Sequence, residues 1–265
     1  MSEALQADEE GAVHLQIEGR VASVVFDRPQ ARNAMTWAMY QSLGAICEQL
    51  QGDREVRVVT LRGAGGAAFV AGTDIAQFQA FTGGEDGVAY ERQIDAAIAL
   101  LESLPMPTLA VIEGWCVGGG LAIATACDIR IATPQVRLGV PIARTLGNCL
   151  SIANLARLVA AFGRGRVQRM LIGAEILQAA EGLACGYLAQ VVDAGALDTV
   201  VRERCAQLAS LAPVTQAVTK EGLRRLVALD LPQAEDLIRR AYGSDDFREG
   251  VAAFTRKHPP AWRGR

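Results

Sequence analysis

At 265 residues, 51% of them hydrophobic and 21% charged, the chain carries enough apolar material for one continuous core and cannot be a disordered segment. Its 26 basic and 29 acidic residues are mixed along the sequence and leave a net charge of -3, which excludes a nucleic-acid footprint but leaves room for one anionic ligand. No run approaches the roughly 18 uninterrupted apolar residues that a membrane span requires.

In chain order, the acidic stretch from Met1 to Gly11 lacks the basic start and apolar run of a signal peptide. Strands are predicted at Val13–Glu18 and Val21–Phe26, the second ending at Asp27-Arg28-Pro29, where proline cannot continue a ladder. A helix follows over Thr36–Leu50, with Thr36 as N-cap and Met39, Leu43, Ile46 and Leu50 on one face. The β-branched runs Val56–Leu61 and Thr108–Ile112 read as buried strands, and Asp128–Ala132 as a short one. Thr82–Gly87, with three glycines and two acids, reads as a mobile loop on which Glu85 and Asp86 could swing toward a site. From Leu150 onward the pattern is mainly helical: Leu155, Leu158, Val159 and Phe162 form an apolar stripe, and Val200–Leu211, Val214–Leu229 and Pro232–Tyr242 give three more helices. Strands alternating with helices point to an α/β fold. The six cysteines (Cys47, Cys116, Cys127, Cys149, Cys185, Cys205) lack CxxC spacing and read as free thiols in a reducing compartment, with no metal site. The cytoplasm is the expected address.

Two glycine-bearing segments each follow a buried strand: Phe69-Val70-Ala71-Gly72-Thr73-Asp74-Ile75, and Gly114-Trp115-Cys116-Val117-Gly118-Gly119-Gly120-Leu121-Ala122. Consecutive glycines let backbone N–H groups approach a ligand closely, and Leu121–Ala126 reads as the first turns of a buried helix, whose positive end would lie beside them. A dry site with two such donors stabilises charge developing on a thioester oxygen. Close helix–strand packing is the other reading of Gly118-Gly119-Gly120 taken alone.

Together with Asp27-Arg28-Pro29-Gln30-Ala31-Arg32-Asn33-Ala34, Cys127-Asp128 and the tail Glu249–Lys257, these segments resemble the crotonase (enoyl-CoA hydratase/isomerase) superfamily in order and spacing. The resemblance implies an α/β fold of repeated ββα units. It places an acyl-CoA-binding core over residues 1–200 and, over 201–265, a helical region packing a homotrimer or a dimer of trimers. It implies an oxyanion hole made by the N–H groups of Thr73 and Gly119. It further implies that coenzyme A, as part of the substrate and with no tightly bound cofactor, lies along Arg28–Ala34 and the segment before Gly72, with Ala71, Asp74 and Ile75 beside it. Arg28, Arg32 and a neighbouring subunit's Lys257 are either partners of the coenzyme A phosphates or solvated surface charges. Asp74 is expected to fix its loop.

The same resemblance exposes a departure. Hydratases of the family move protons with two glutamates, and the corresponding positions here are Ala122 and Ile142, whose hydrocarbon side chains carry none. Relatives that place a carboxylate a little later have it where this chain has Asn148. An amide cannot act as a base, but it can orient a water, bond a carbonyl, or cap the helix expected from Leu150. Arg144 reads as a partner for a substrate carboxylate or as an exposed charge. Cys116 and Cys149 read as small apolar residues, and His14 and His258, near the ends, complete no triad. The expected function is an acyl-CoA enzyme of fatty-acid-type metabolism, a lyase or isomerase with an unusual proton carrier. A catalytically inactive thioester-binding protein is the alternative, and an RNA-binding member of the fold is disfavoured for want of a basic stripe.

Overall fold

A computed structural model describes residues 10–265, so most of the acidic N-terminal stretch lies outside the described residues. After the strands β1 (Ala12–Glu18) and β2 (Val21–Asp27) and helix α1 (Trp37–Gln51), the chain passes three times through a strand, a three-residue strand and a helix. The first turn is β3 (Val58–Gly63), β4 (Ala68–Val70) and α2 (Gly84–Glu102); the second is β5 (Thr108–Ile112), β6 (Trp115–Val117) and α3 (Gly119–Ala126). The third is β7 (Ile129–Ala132), β8 (Arg137–Gly139) and the short α4 (Ile142–Thr145), followed by α5 (Ile152–Phe162) and α6 (Arg164–Leu171). Then β9 (Ile176–Gln178), α7 (Ala179–Ala184) and β10 (Gln190–Val191) lead into α8 (Ala194–Ser210), α9 (Pro213–Ala228), α10 (Glu235–Tyr242) and α11 (Asp245–Thr255).

Two sheets result. The larger has the order β1-β2-β3-β5-β7-β10, antiparallel only between β1 and β2, and the smaller has the order β4-β6-β8-β9. β5 is buried at every residue because layers cover both faces of the parallel sheet: the main core on one side, and α8 on the other, through Leu197, Cys205 and Leu208 against Val58, Leu109 and Ile131. Thr36 caps α1 by accepting the Met39 N–H, and Met39, Leu43, Ile46 and Leu50 face the core as the spacing requires.

Three sequence-based expectations change. Thr82–Gly87 is no mobile loop: α2 starts at Gly84, and Asp86 accepts hydrogen bonds from the Thr82 and Gly83 N–H groups and the Thr82 hydroxyl. Two of the three glycines serve packing instead, since a Cβ on Gly84 would lie 2.5 Å from the Arg239 carbonyl oxygen and one on Gly87 2.2 Å from the Tyr242 ring. Glu85, which pairs with Arg239, is likewise held in place. The second change concerns Asn148, which does not cap α5; Ser151 does, its hydroxyl accepting the Asn154 N–H at 3.2 Å. Third, Val159 falls off the apolar stripe and is exposed, while Leu158 and Phe162 are buried. All six cysteines are free thiols.

Candidate functional site

The site is built on two loops that the fold brings into contact. Asn33, fully buried, fixes the first stretch: its Oδ1 accepts the Arg28 N–H, and its Nδ2 donates to the Ala64 and Ala68 carbonyls. Residues 32–35 are then laced to the segment after β4, with the Ala71 N–H donating to the Arg32 carbonyl, Met35 to Gly72, and Asp74 to Met35. Asp74 locks this loop by pairing with Arg28 at 2.8 Å and accepting the Ala76 N–H.

The second loop leaves β6 and enters α3 through Gly118, whose φ of 54° and ψ of −125° favour glycine. Gly120 allows α3 to start hard against β4, since a Cβ there would meet the Val70 carbonyl oxygen at 2.1 Å. The two loops touch: a Cβ on Gly118 would lie 3.5 Å from the Gly72 Cα, and one on Gly119 3.3 Å from Thr73 Oγ1 and 2.3 Å from the Tyr40 hydroxyl. Tyr40, buried on α1, binds Thr73 Oγ1 at 2.9 Å, and Thr73 Oγ1 binds the Tyr90 hydroxyl at 2.9 Å. Among the described residues, the N–H groups of Thr73 and Gly119 have no acceptor within the chain.

Both residues line a cavity of about 580 Å³. Arg28, Arg32, Ala34, Ala71, Thr73, Asp74, Ile75, Gly119, Ala122, Ile142 and Asn148 all line it, as does Arg144. Lys257 lies beyond α11, exposed, and lines no part of it. The side chain of Arg28 is only 14% exposed and its guanidinium is engaged with Asp74, so it braces the loop; the guanidinium of Arg32 lies 5.9 Å from the centre of the Trp115 ring. Ala122 and Ile142 make that part of the wall hydrocarbon. Burial pushes the Cys149 thiol up to about 12, and the buried Cys116 thiol also rises, so neither is a thiolate at neutral pH.

The second carboxylic acid of this wall is not singled out by the sequence analysis. Glu91 on α2 is 3% exposed and lines the cavity. Its Oε1 accepts the Tyr242 hydroxyl at 2.6 Å and its Oε2 the Ser151 N–H at 2.9 Å. Burial pushes its carboxyl up to about 7 against the pull of those two hydrogen bonds, and Asp95 adds a smaller upward push. The sequence holds a spacing that fits this contact, although the spacing alone does not distinguish a packed face from a loop. Gly84, Gly87 and Glu91 stand at i, i+3 and i+7, on the face of α2 that receives Arg239 and Tyr242. Tyr242 and Phe254, the latter lining the cavity, show that the chain beyond residue 200 also helps to build the site.

The family model for enoyl-CoA hydratase/isomerase matches residues 16–265. The chain is 31% identical over 249 residues to a short-chain-enoyl-CoA hydratase of Clostridium acetobutylicum, covering 92% of this chain and 95% of that protein. It is 29% identical to the (E)-benzylidenesuccinyl-CoA hydratase of Thauera aromatica, over 95% of this chain and 99% of that one. Among solved structures, an enoyl-CoA hydratase/carnithine racemase from Magnetospirillum magneticum superposes with a TM-score of 0.77 at 32% identity, covering 96% of each chain. A methylmalonyl-CoA decarboxylase in complex with 2-nitronate-propionyl-CoA gives a TM-score of 0.87 at 25% identity, covering 96% of this chain and 98% of that one. With its alternating strands and helices, its two sheets and a family match running from β1 to the C-terminus, the chain belongs to the enoyl-CoA hydratase/isomerase family of the crotonase superfamily.

Proposed function

We propose that this chain processes acyl-CoA thioesters by holding the thioester oxygen between the N–H groups of Thr73 and Gly119 while negative charge develops on it. The observation that carries this reading is the pair of N–H groups without internal acceptors, on touching loops, in two residues that line one cavity. The Tyr40 hydroxyl, packed against Gly119 and bonded to Thr73, fixes their spacing, so little reorganisation is needed as charge appears. Coenzyme A enters along Arg28–Ala34 and Ala71, with Arg32 the cation at that wall. With Ala122 and Ile142 where the family's hydratases carry glutamates, two-glutamate hydration is not this site's chemistry.

A second reading, thioester binding without turnover, draws on the same hydrocarbon wall. Incubation with crotonyl-, 3-enoyl-, malonyl-type and β-keto-acyl-CoA, read by mass spectrometry, separates the two: conversion of any one supports the enzyme, whereas binding of every thioester with no change supports the binder. In a Tyr40→Phe background, which removes the hydroxyl that a Cβ would strike, Gly119→Ala keeps the N–H and Gly119→Pro removes it. Proline is expected to cost about 10²–10³-fold relative to alanine. Equal activities would refute the donor assignment.

Oligomerisation is proposed through α9, which buries none of its own residues and leaves Val214, Val218, Leu223 and Leu226 at least 60% exposed. A trimer or a dimer of trimers is expected, and light scattering that gave a monomer would contradict it. No described helix is long and apolar enough to cross a membrane, and a cytoplasmic address is proposed.

A further inference from the structure

We infer that Glu91 is the proton-transferring residue of this site, with Tyr242 and Asn148 as its positioning residues. The inference rests on the acyl-CoA reading and supplies the proton carrier which that reading lacks. The other acid in the cavity wall is committed, Asp74 to Arg28 and to the turn it caps. Tyr90 is tied to Thr73. Glu91 alone is a buried carboxyl that forms no ion pair among the described residues. Such a group opposes folding whenever it is ionised, which points to a use at the cavity rather than to a structural gain.

The hydrogen bonds give the group a direction. Asn148 donates through Nδ2 to the Tyr242 oxygen at 3.1 Å, so the tyrosine hydrogen is left for the Glu91 carboxylate. The Asn148 Oδ1 is buried without a partner, an acceptor in the wall of the same cavity. Tyr90, the neighbour of Glu91 on α2, bonds the Thr73 hydroxyl, so a single residue joins the proton carrier to the proposed oxyanion loop.

The groups around Glu91 are Tyr90 and Asp95 on α2, Tyr40 on α1, Tyr242 on α10 and Cys149 before α5. Asp95 is itself held by the Ser151 hydroxyl and by Arg157, which also pairs with Glu102. With no cation on Glu91 and burial lifting its carboxyl to about 7, both protonation states are accessible at neutral pH, as a group that takes and returns one proton requires.

For a 3-enoyl thioester the steps balance without a co-reactant. The Glu91 carboxylate removes a proton from the carbon α to the carbonyl, and the C–H electron pair becomes the C=C bond of a dienolate. The thioester oxygen carries the charge against the Thr73 and Gly119 N–H groups. The carboxyl then returns the proton to the γ-carbon, the double bond moves into conjugation, and the carboxylate is regenerated.

The test incubates the full chain with but-3-enoyl-CoA in D₂O and follows isomerisation and deuterium incorporation by NMR, with thioester affinity measured by calorimetry. The native chain is expected to isomerise the thioester, and Glu91→Gln to do so at least about 100-fold more slowly with affinity held within about threefold. Tyr242→Phe provides a readout that a merely structural role would not move. The lost hydroxyl favoured the ionised carboxyl, so the acid limb of kcat/KM should shift from near pH 7 to higher pH. If the native chain binds no CoA thioester, the acyl-CoA reading falls, and this inference with it. If the chain binds but neither isomerises nor exchanges, or if Glu91→Gln matches the native rate, or if the limb stays fixed in Tyr242→Phe, the role of Glu91 is refuted and the acyl-CoA reading stands.

Discussion

Replacing Glu91 with glutamine should stabilise the fold above neutral pH and change it little in acid. Burial lifts the carboxyl from 4.5 to about 7. At about 1.4 kcal/mol per pH unit, ionising it inside the fold costs roughly 3 kcal/mol more than ionising it in the unfolded chain. Because the folded value is the higher of the two, the native state keeps its proton longer, and stability falls as pH rises from 4.5 through 7. Glutamine removes that penalty but sets an NH₂ group against either the Tyr242 hydroxyl or the Ser151 N–H, which takes back about 1 kcal/mol. The variant should therefore be more stable than the native chain by about 2 kcal/mol near pH 8 and no more stable near pH 5. Urea unfolding followed by tryptophan fluorescence across that range, at one protein concentration, measures the difference. A difference that does not vary with pH would show that ionising the buried carboxyl costs the fold nothing, a variant less stable at pH 8 would show that the ionised form stabilises it, and either result would refute this account of its burial.

Three further substitutions probe the surroundings. Tyr40→Phe removes the hydroxyl joining Thr73 to the Gly119 loop; activity should fall more than tenfold while stability drops by only about 1 kcal/mol, and unchanged turnover would show that this bond does not set the site's geometry. Gly120→Ala would push a methyl group onto the Val70 carbonyl oxygen, so a loss of about 2–3 kcal/mol by thermal melting is expected, and an unchanged melt would contradict the close approach of α3 to β4. Ser151→Ala deletes the cap of α5 and a hydrogen bond to Asp95 and should cost about 1–2 kcal/mol by urea unfolding; no loss would return the capping role to another residue.

The long strands and helices could be read from the sequence because their periods are long enough to register. Thr108–Ile112 and the face of α1 follow directly from β-branched runs and helical spacing. The smaller sheet could not: β4, β6 and β8 have three residues each, too few for any period, and they exist only because parallel partners lie beside them. Gly84 and Gly87 mislead for a different reason. Glycine marks a loop and a close helix contact equally well, and only the partner at Arg239 and Tyr242 decides which. The backbone donors stood out because glycines and their spacing carry them. Glu91 did not, because an acid within a helix looks solvated until a residue 151 positions away covers it. Asn148, read as a cap from its place before α5, is taken by Tyr242 across that same contact.

Polarisation of a thioester by Thr73 and Gly119 can be measured on a bound ligand without any turnover. With an acyl-CoA labelled with ¹³C at the carbonyl, binding should move the carbonyl stretch to lower frequency and its NMR resonance downfield, because two N–H groups draw electron density onto the oxygen. The shift should survive Glu91→Gln, since the donors belong to the backbone, and should shrink in Gly119→Pro relative to Gly119→Ala in the Tyr40→Phe background. A thioester that binds with its carbonyl signals where they stand in free solution would contradict the account.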